Sequence, residues 1–399
     1  MVDPSRVRVT GPLVPYVDGF WAELAGAGYT AWSVEAQLRL LAHVSRWLAV
    51  QGLDAADLTS EAVEEFLRAR RGEGYVDRLS PRGLVPLLGY LRGLDVVPAA
   101  STLVTPVEQL VQDYCGYLVR ERGLAAGSVD RHEEIARRFL SEREEPIREA
   151  LGGLSAAEIT AFVLRESTRR SESSTRTVIN GLRSLLRYLH VEGWTPIALT
   201  QAVPSVARRQ HSLPRSLKAG HVEGLLESCD RASALGVRDY AILTLLARLG
   251  LRVAEVTRLR LDDVDWSAGE LLVRGKGNRL ERLPLPRDVG EALVDYLRRG
   301  RPRRPCPELF LRFLAPNVGL SGNGITSLVY AACDRAGRPR LGPHRLRHGL
   351  ACDLLRHGAP LGEVGQVLRH KSLLATSIYA KVDRVALSGL ALPWPEARS

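Results

Sequence analysis

The chain has 399 residues, with 55 lysines and arginines against 45 aspartates and glutamates, a formal balance of +10 at pH 7. Its five cysteines are odd in number and scattered without CxxC spacing, which argues against a disulfide framework or a zinc site and points to a reducing cytoplasm. No apolar run reaches the roughly eighteen residues a membrane span needs, and no basic segment followed by an apolar run marks a signal peptide.

The length supports two or three cores, and the scarcity of β-branched alternation outside 270–285 predicts a mostly helical protein. The charge is unevenly placed: 23 basic and 26 acidic side chains precede residue 206, and 32 basic and 19 acidic follow it. The whole cationic excess therefore lies in the C-terminal half, where a polyanion would bind in a salt-dependent way.

The first two hundred residues look duplicated with a period of about 95–98 residues. Ser33-Val34 answers Ser128-Val129 at the start of a long helix, and Leu58-Thr59 answers Leu154-Ser155 as the cap of the next. Later, LLGYLRGLDVVP answers LLRYLHVEGWTP, with Tyr90 opposite Tyr188 and Pro98 opposite Pro196. Each copy reads as four helices, giving domains over 1–103 and 104–203 and a Pro- and Arg-bearing linker over 204–216. Arg169, Arg170, Arg176 and Arg183 flank or lie on the last helix of the second copy, and Arg208 and Arg209 lie in the linker. They are candidates for phosphate contacts, with a solvated face as the equal alternative.

The remaining segment, 217–399, holds the chemistry. Tyr240–Leu251 is a strongly apolar helix ending at Gly250, and a second helix follows from Arg252 to Leu259. An arginine in the first turn of a helix opposes the dipole, so its place suggests a bound anion. Residues 270–285 alternate around a Gly-Lys-Gly-Asn turn and read as a hairpin with Lys276 at its tip. Fifty-one of the basic residues are arginine and four are lysine, so lysine at that tip offers what arginine cannot, a proton it can give up.

Pro302 to Pro307 and Gly319 to Gly324 mark an irregular region. The periodicity of Leu346, Leu350, Leu354 and Leu355 predicts a helix over 344–357, ended by Gly358 and Pro360. Short helices follow over 361–368 and 373–379. His344 and Arg347 share one helical face, His370 sits in the last turn, and Tyr379 lies on the final helix. Two histidines, an arginine and a tyrosine converging on one point make an anion site with a nucleophile in it. The tail carries Val385, Leu387, Leu390 and Trp394, an apolar stripe for a neighbouring copy or for its own domain.

Singly, each of these residues has an ordinary explanation as a surface arginine, a packed histidine or a core tyrosine. As an ordered set, Arg252, Lys276, His344, Arg347, His370 and Tyr379 resemble the tyrosine recombinase (phage integrase) family, through GLRVAEV, GKGN with RLPLP, HRLRH and LRHKSLLATSIYA. Glu255 fits the acidic residue that usually follows the first arginine. The resemblance covers 213–385 strongly and the preceding hundred residues more loosely.

It implies a mainly α fold: two consecutive four-helix SAM-like bundles, then an α-rich catalytic domain with a small antiparallel β-sheet. The second bundle would be the family's core-binding domain, which clamps DNA. The resemblance further implies site-specific strand exchange for integration, excision or transposition of a mobile element, with no cofactor and no metal. Tyr379 would form a 3′-phosphotyrosyl bond, Arg252 and Arg347 would hold the non-bridging oxygens, and His344 and His370 would bond the phosphate and help take the tyrosine proton. Lys276 would protonate the 5′ oxygen. The implied partners are double-stranded DNA and a homo-tetramer on paired sites, beside related recombinases and away from membranes. The alternatives are type IB topoisomerase-like relaxation and a non-catalytic DNA-binding accessory protein.

Overall fold

The computed structural model describes residues 7–97, 105–143, 146–205, 217, 220–275, 277, 279–370, 376 and 379. Two compact units divide the chain, one formed by 1–57, 66–96 and 211–399, the other by 58–65 and 97–210. Among the described residues no helix is long and apolar enough to cross a membrane.

The second unit is built around five helices: α5 (Pro106–Arg120), α6 (Ala126–Ser141), α7 (Ile147–Gly152), α8 (Ala156–Thr168) and α9 (Glu172–Val191). Local chemistry sets their starts. Ser155 and Glu158 close a reciprocal capping box on α8, and the Ser171 and Thr105 hydroxyls accept amide protons at the first turns of α9 and α5. Leu182, Leu185, Leu186 and Leu189 of α9 recur at helical spacing and are fully buried. Phe139 and Phe162 meet edge to face at 5.1 Å in the same core. The short helix α7 is one more than the four expected, and it fills the stretch by which the second copy exceeds the first.

In the first unit, α1 (Val17–Gly26), α2 (Ala31–Gln51) and α4 (Val85–Gly93) belong to the first copy, with α3 (Ser60–Gly72) between them in sequence. The Thr30 hydroxyl caps α2, and Gly52, at φ +68°, ends it in the left-handed conformation. The repeat read from the sequence has a packing counterpart. Tyr90 of α4 packs its ring on Phe20 of α1 at 5.5 Å, and Tyr188 of α9 packs on Tyr114 of α5 at 5.2 Å. In both copies the closing helix is thus pinned to the opening one by an aromatic pair.

The C-terminal part of the first unit runs α10 (His221–Glu227), α11 (Ala234–Arg248), α12 (Val253–Val256), β1 (Val264–Asp265), β2 (Glu270–Arg274), β3 (Leu280–Pro284), α13 (Arg287–Asp295), α14 (Gly322–Arg335), α15 (Pro343–Arg356) and α16 (Leu361–Val367). Its core surrounds α11, where Ile242, Leu243, Leu245 and Leu246 are buried on every side. This helix starts earlier than expected because the Ser233 hydroxyl caps it by accepting from the Gly236 amide. Arg238 and Asp239, paired at 2.8 Å, neutralise each other in its buried first turns, which hides them from an apolar pattern.

The strands form an antiparallel sheet in the order β1-β2-β3, with Glu270 opposite Pro284 and Arg274 opposite Leu280. The hairpin is therefore where the alternation placed it. The helix expected over 344–357 is α15, opened by Pro343, whose missing amide costs nothing at the first turn. That expected over 252–259 is reduced to the single turn of α12.

Candidate active site

The site is assembled on the turn between α11 and α12. Gly250 adopts φ +56°, and a Cβ there would meet Leu350 and Leu368 side-chain atoms at 3.0 Å. Glycine thus allows the turn and the close approach of α15 together. The Gly250 carbonyl accepts from Arg347 Nη1 at 2.5 Å and from Arg369 Nη2 at 3.3 Å. Arg347 also donates Nη2 to the Leu368 carbonyl and is 2 % exposed. Burial first, then the charges of Arg252 and Arg369, lower its pKa to about 10, so it stays cationic at neutral pH.

Arg252 is the N-cap of α12. Its Nη1 meets Glu255 Oε1 at 2.6 Å, its amide donates to Glu255 Oε2 at 2.8 Å, and its Nη2 donates to the Arg369 carbonyl at 3.2 Å. The anion that the misplaced cation called for is, in this structure, the carboxylate three residues on. Glu255 also holds Arg369 at 3.1 Å. Burial opposes ionisation of Glu255, but the Arg252 amide and the two guanidiniums outweigh it and hold its pKa below the usual value. Arg369 itself sits at φ +54° with its side chain almost wholly enclosed, and its Nε lies 3.8 Å from Glu281 of β3.

Arg252 and Arg369 thus share one carboxylate, and Arg347 joins them on a set of backbone carbonyls. His344 opens α15 one turn before Arg347 and faces solvent, yet partial desolvation with Arg347 and Arg252 nearby lowers its pKa. His370 donates or accepts through Nδ1 with the Thr376 hydroxyl at 2.8 Å, and desolvation and the same arginines bring its pKa down to about 4. Tyr379 is 1 % exposed, against Ala351, Cys352, Leu355, Val364 and Leu368. Its ring lies parallel to that of His370 with centroids 6.2 Å apart. Burial pushes its pKa up to about 12, against the pull of Arg347.

The hydroxyl of Tyr379 meets Nδ1 of His348 at 2.5 Å. His348 lies one turn after His344, with ring centroids 4.4 Å apart and planes at 78°. Desolvation, His344, Arg345, Arg347 and His370 lower its pKa to about 4.

Five of the six catalytic candidates, Arg252, His344, Arg347, His370 and Tyr379, are therefore linked through shared partners or mutual electrostatic influence. Lys276 lies outside the described residues. Its hairpin is described up to Gly275, at Gly277 and from Arg279, and the Glu281–Arg369 approach brings β3 to the site. Sequence reasoning passed over Arg369 and His348. Their signals were the arginine of LRH immediately before His370 and the second histidine of HRLRH, four residues after His344 and so on its face.

Of the candidates for DNA contact, Arg169 is exposed at the C-cap of α8. Arg170 pairs with Glu166 at 2.7 Å and Arg176 with Glu172. Arg183 donates to the carbonyls of Val203 at 3.0 Å and Pro204 at 3.5 Å. These three carry internal work in the absence of DNA. Arg208, Arg209 and the tail residues Val385, Leu387, Leu390 and Trp394 lie outside the described residues.

The description Phage integrase family matches residues 215–385. The integrase/recombinase-type protein y4rA of Sinorhizobium fredii (strain NBRC 101917 / NGR234) is 40 % identical over 394 residues, covering 96 % of this chain and 95 % of its own. Tyrosine recombinase XerD of Mycobacterium tuberculosis (strain CDC 1551 / Oshkosh) is 33 % identical, covering 69 % and 94 %. The crystal structure of XerH site-specific recombinase in a post-cleavage complex with palindromic difH substrate superposes with a TM-score of 0.54 at 20 % identity, covering 84 % of this chain and 95 % of that one. The Tn1549 transposon integrase in complex with circular intermediate DNA gives 0.52 at 15 % identity, covering 69 % and 98 %. These two share the fold.

Proposed function

The chain belongs to the tyrosine recombinase (phage integrase) family, and from that premise we propose that it exchanges DNA strands at specific sites through a 3′-phosphotyrosyl bond to Tyr379. The observation that carries the reading is the placement of the Tyr379 phenol among His348, His370 and Arg347, with Arg252 and Arg369 behind them.

A phosphodiester under attack gathers charge on its non-bridging oxygens, and fixed cations in a low-dielectric site stabilise that charge without reorganising. Arg347 is pre-set by the Gly250 and Leu368 carbonyls, and Arg252 by Glu255, so both guanidiniums are oriented before DNA arrives. In this reading they hold the two oxygens, with hydrogen bonds to the phosphate from His344 and His370. Lys276, which falls between β2 and β3 in sequence, protonates the departing 5′ oxygen. The phosphotyrosyl bond retains the energy of the broken linkage, so a 5′-hydroxyl from another strand reverses the step and exchanges partners.

Double-stranded DNA is the substrate, bound by four copies on paired sites. The domain division at 1–103, 104–203, 204–216 and 217–399 belongs to the same reading, as do phosphate contacts from Arg169, Arg170, Arg176, Arg183, Arg208 and Arg209, in which DNA would displace the internal partners of Arg170, Arg176 and Arg183. Integration or transposition of a mobile element is the role we favour, supported by the extra first bundle, over 1–103, that precedes the core-binding type of bundle. The test is trapping on a nicked suicide duplex carrying the cognate site. The wild-type chain should form a covalent adduct that Tyr379→Phe abolishes while DNA binding persists; an adduct formed by the Phe variant would sink the proposal.

A further inference from the structure

We infer that His348, outside the six-residue set, is the base that takes the Tyr379 proton during attack and the acid that returns it on rejoining. The inference rests on Tyr379 being the nucleophile. Its ground is geometric. His348 Nδ1 lies 2.5 Å from the phenolic oxygen, with ring centroids 5.4 Å apart and planes at 56°, so the imidazole edge points at the hydroxyl. His370 presents its face to the phenol ring and turns Nδ1 to Thr376 instead. His344 sits against His348 rather than against the phenol in the contacts described.

The protonation states agree with this role. The groups facing His348 are His344, Arg345 and Arg347 on its own helix, His370 beyond α16, and Tyr379. With burial, the cationic ones keep the imidazole neutral at pH 7, and in the tautomer that carries its hydrogen on Nε2 the Nδ1 lone pair accepts from the phenol. The phenol, pushed up to about 12, ionises unaided in on the order of one molecule in 10⁵ at that pH. Attack therefore needs an acceptor in contact, and His348 is in contact. A phosphodiester bound on Arg347 and Arg252 would offset the charges that keep His348 a weak base, so the base strengthens when substrate arrives.

The step balances. The Tyr379 O–H bond breaks as the O–P bond forms, and the proton moves to Nδ1 to give an imidazolium protonated on both nitrogens. The P–O5′ bond breaks, and the departing oxygen takes its proton from a separate donor, Lys276 in the reading above. Rejoining runs the sequence backward, with the imidazolium protonating the phenolate as it leaves.

The experiment is single-turnover adduct formation on the nicked duplex between about pH 6 and pH 9, with DNA binding measured alongside. Wild type, His348→Gln and His348→Ala are compared, each also with a fluorinated, more acidic tyrosine at 379. Removing the base should slow cleavage by about 10²–10⁴, the usual worth of positioned proton transfer. The wild-type rate should be nearly flat with pH, whereas the variants should gain about tenfold per unit because phenolate must then form in advance. The acidic phenol should restore much of the loss in His348→Ala and add little in wild type. A His348→Gln variant within about threefold of wild type overturns the inference. So does a faster His348→Ala, which would make the contact a resting latch, or a slow variant with the wild-type pH profile and no rescue, which would make His348 a positioning residue. Failure of the wild-type chain to form any adduct would overturn the recombinase reading and this one with it; adduct formed equally by His348→Gln removes this one alone.

Discussion

Glu255 is the residue on which the cationic cluster is balanced. It is 2 % exposed and is shared by Arg369, whose side chain is nearly as enclosed, and by the half-buried Arg252. Deleting one member of a buried ion pair strands the other, at a cost of about 3–5 kcal/mol. Glu255→Ala should therefore lower the urea midpoint by an amount corresponding to that range with an unchanged slope, and should release Arg252 from its set orientation. A shift within about 0.5 kcal/mol of zero would show that the carboxylate is not structural. The sequence identified Glu255 as a family feature and Arg252 as an anion-seeking cation. It did not join them, because a helix-dipole argument looks outward for a ligand while the capping geometry looks inward to the third residue.

At the scale of the element, starts and stops were read most faithfully where one residue carries the signal. Ser155, read as the cap of α8, and Gly358, read as the end of α15 and found at φ +86°, each act within a turn, so local sequence suffices. Ser155→Ala should cost about 1 kcal/mol, the typical worth of such a cap, and α8 should show faster amide exchange at its first turn. A neutral substitution with unchanged exchange would assign that helix start to tertiary packing instead. Where two elements compete, the reading failed. α12 stops after a single turn at Val256, and α7 inserts a helix into the second copy. In the first case the Arg260–Glu308 bridge and the bond from the Leu309 amide to the Leu259 carbonyl claim the backbone that a longer helix would have used. Those partners lie some fifty residues downstream, beyond any periodic window.

For the molecule as a whole, charge placement predicts behaviour toward DNA. The first 205 residues are near balance, and the excess of 32 basic over 19 acidic side chains lies beyond them, in the part that contains the proposed active site. Contacts with six to ten phosphates would reduce affinity by about 10³–10⁵ between 50 and 200 mM salt. Fluorescence anisotropy with a cognate duplex should show a linear log–log fall of that size, and a flat response would contradict a phosphate-dominated interface. The duplication visible in the sequence is a statement at this scale too. Its structural counterpart, aromatic contact between the closing and opening helices of each copy, shows that the repeat preserved a packing solution along with a pattern.

The sequence by itself determined the order of the candidate residues, the β2–β3 hairpin, the helix carrying His344 and Arg347, and hence the family, because each depends on spacing within one or two turns or strands. Only the tertiary structure decided how those residues are held. Arg347 reaches a carbonyl 97 residues away, Arg369 one 119 residues away, and Tyr379 an imidazole 31 residues away. Such contacts are made by the close packing of α15 against the α11–α12 turn, and no periodicity along the chain records which groups that packing brings within bonding distance.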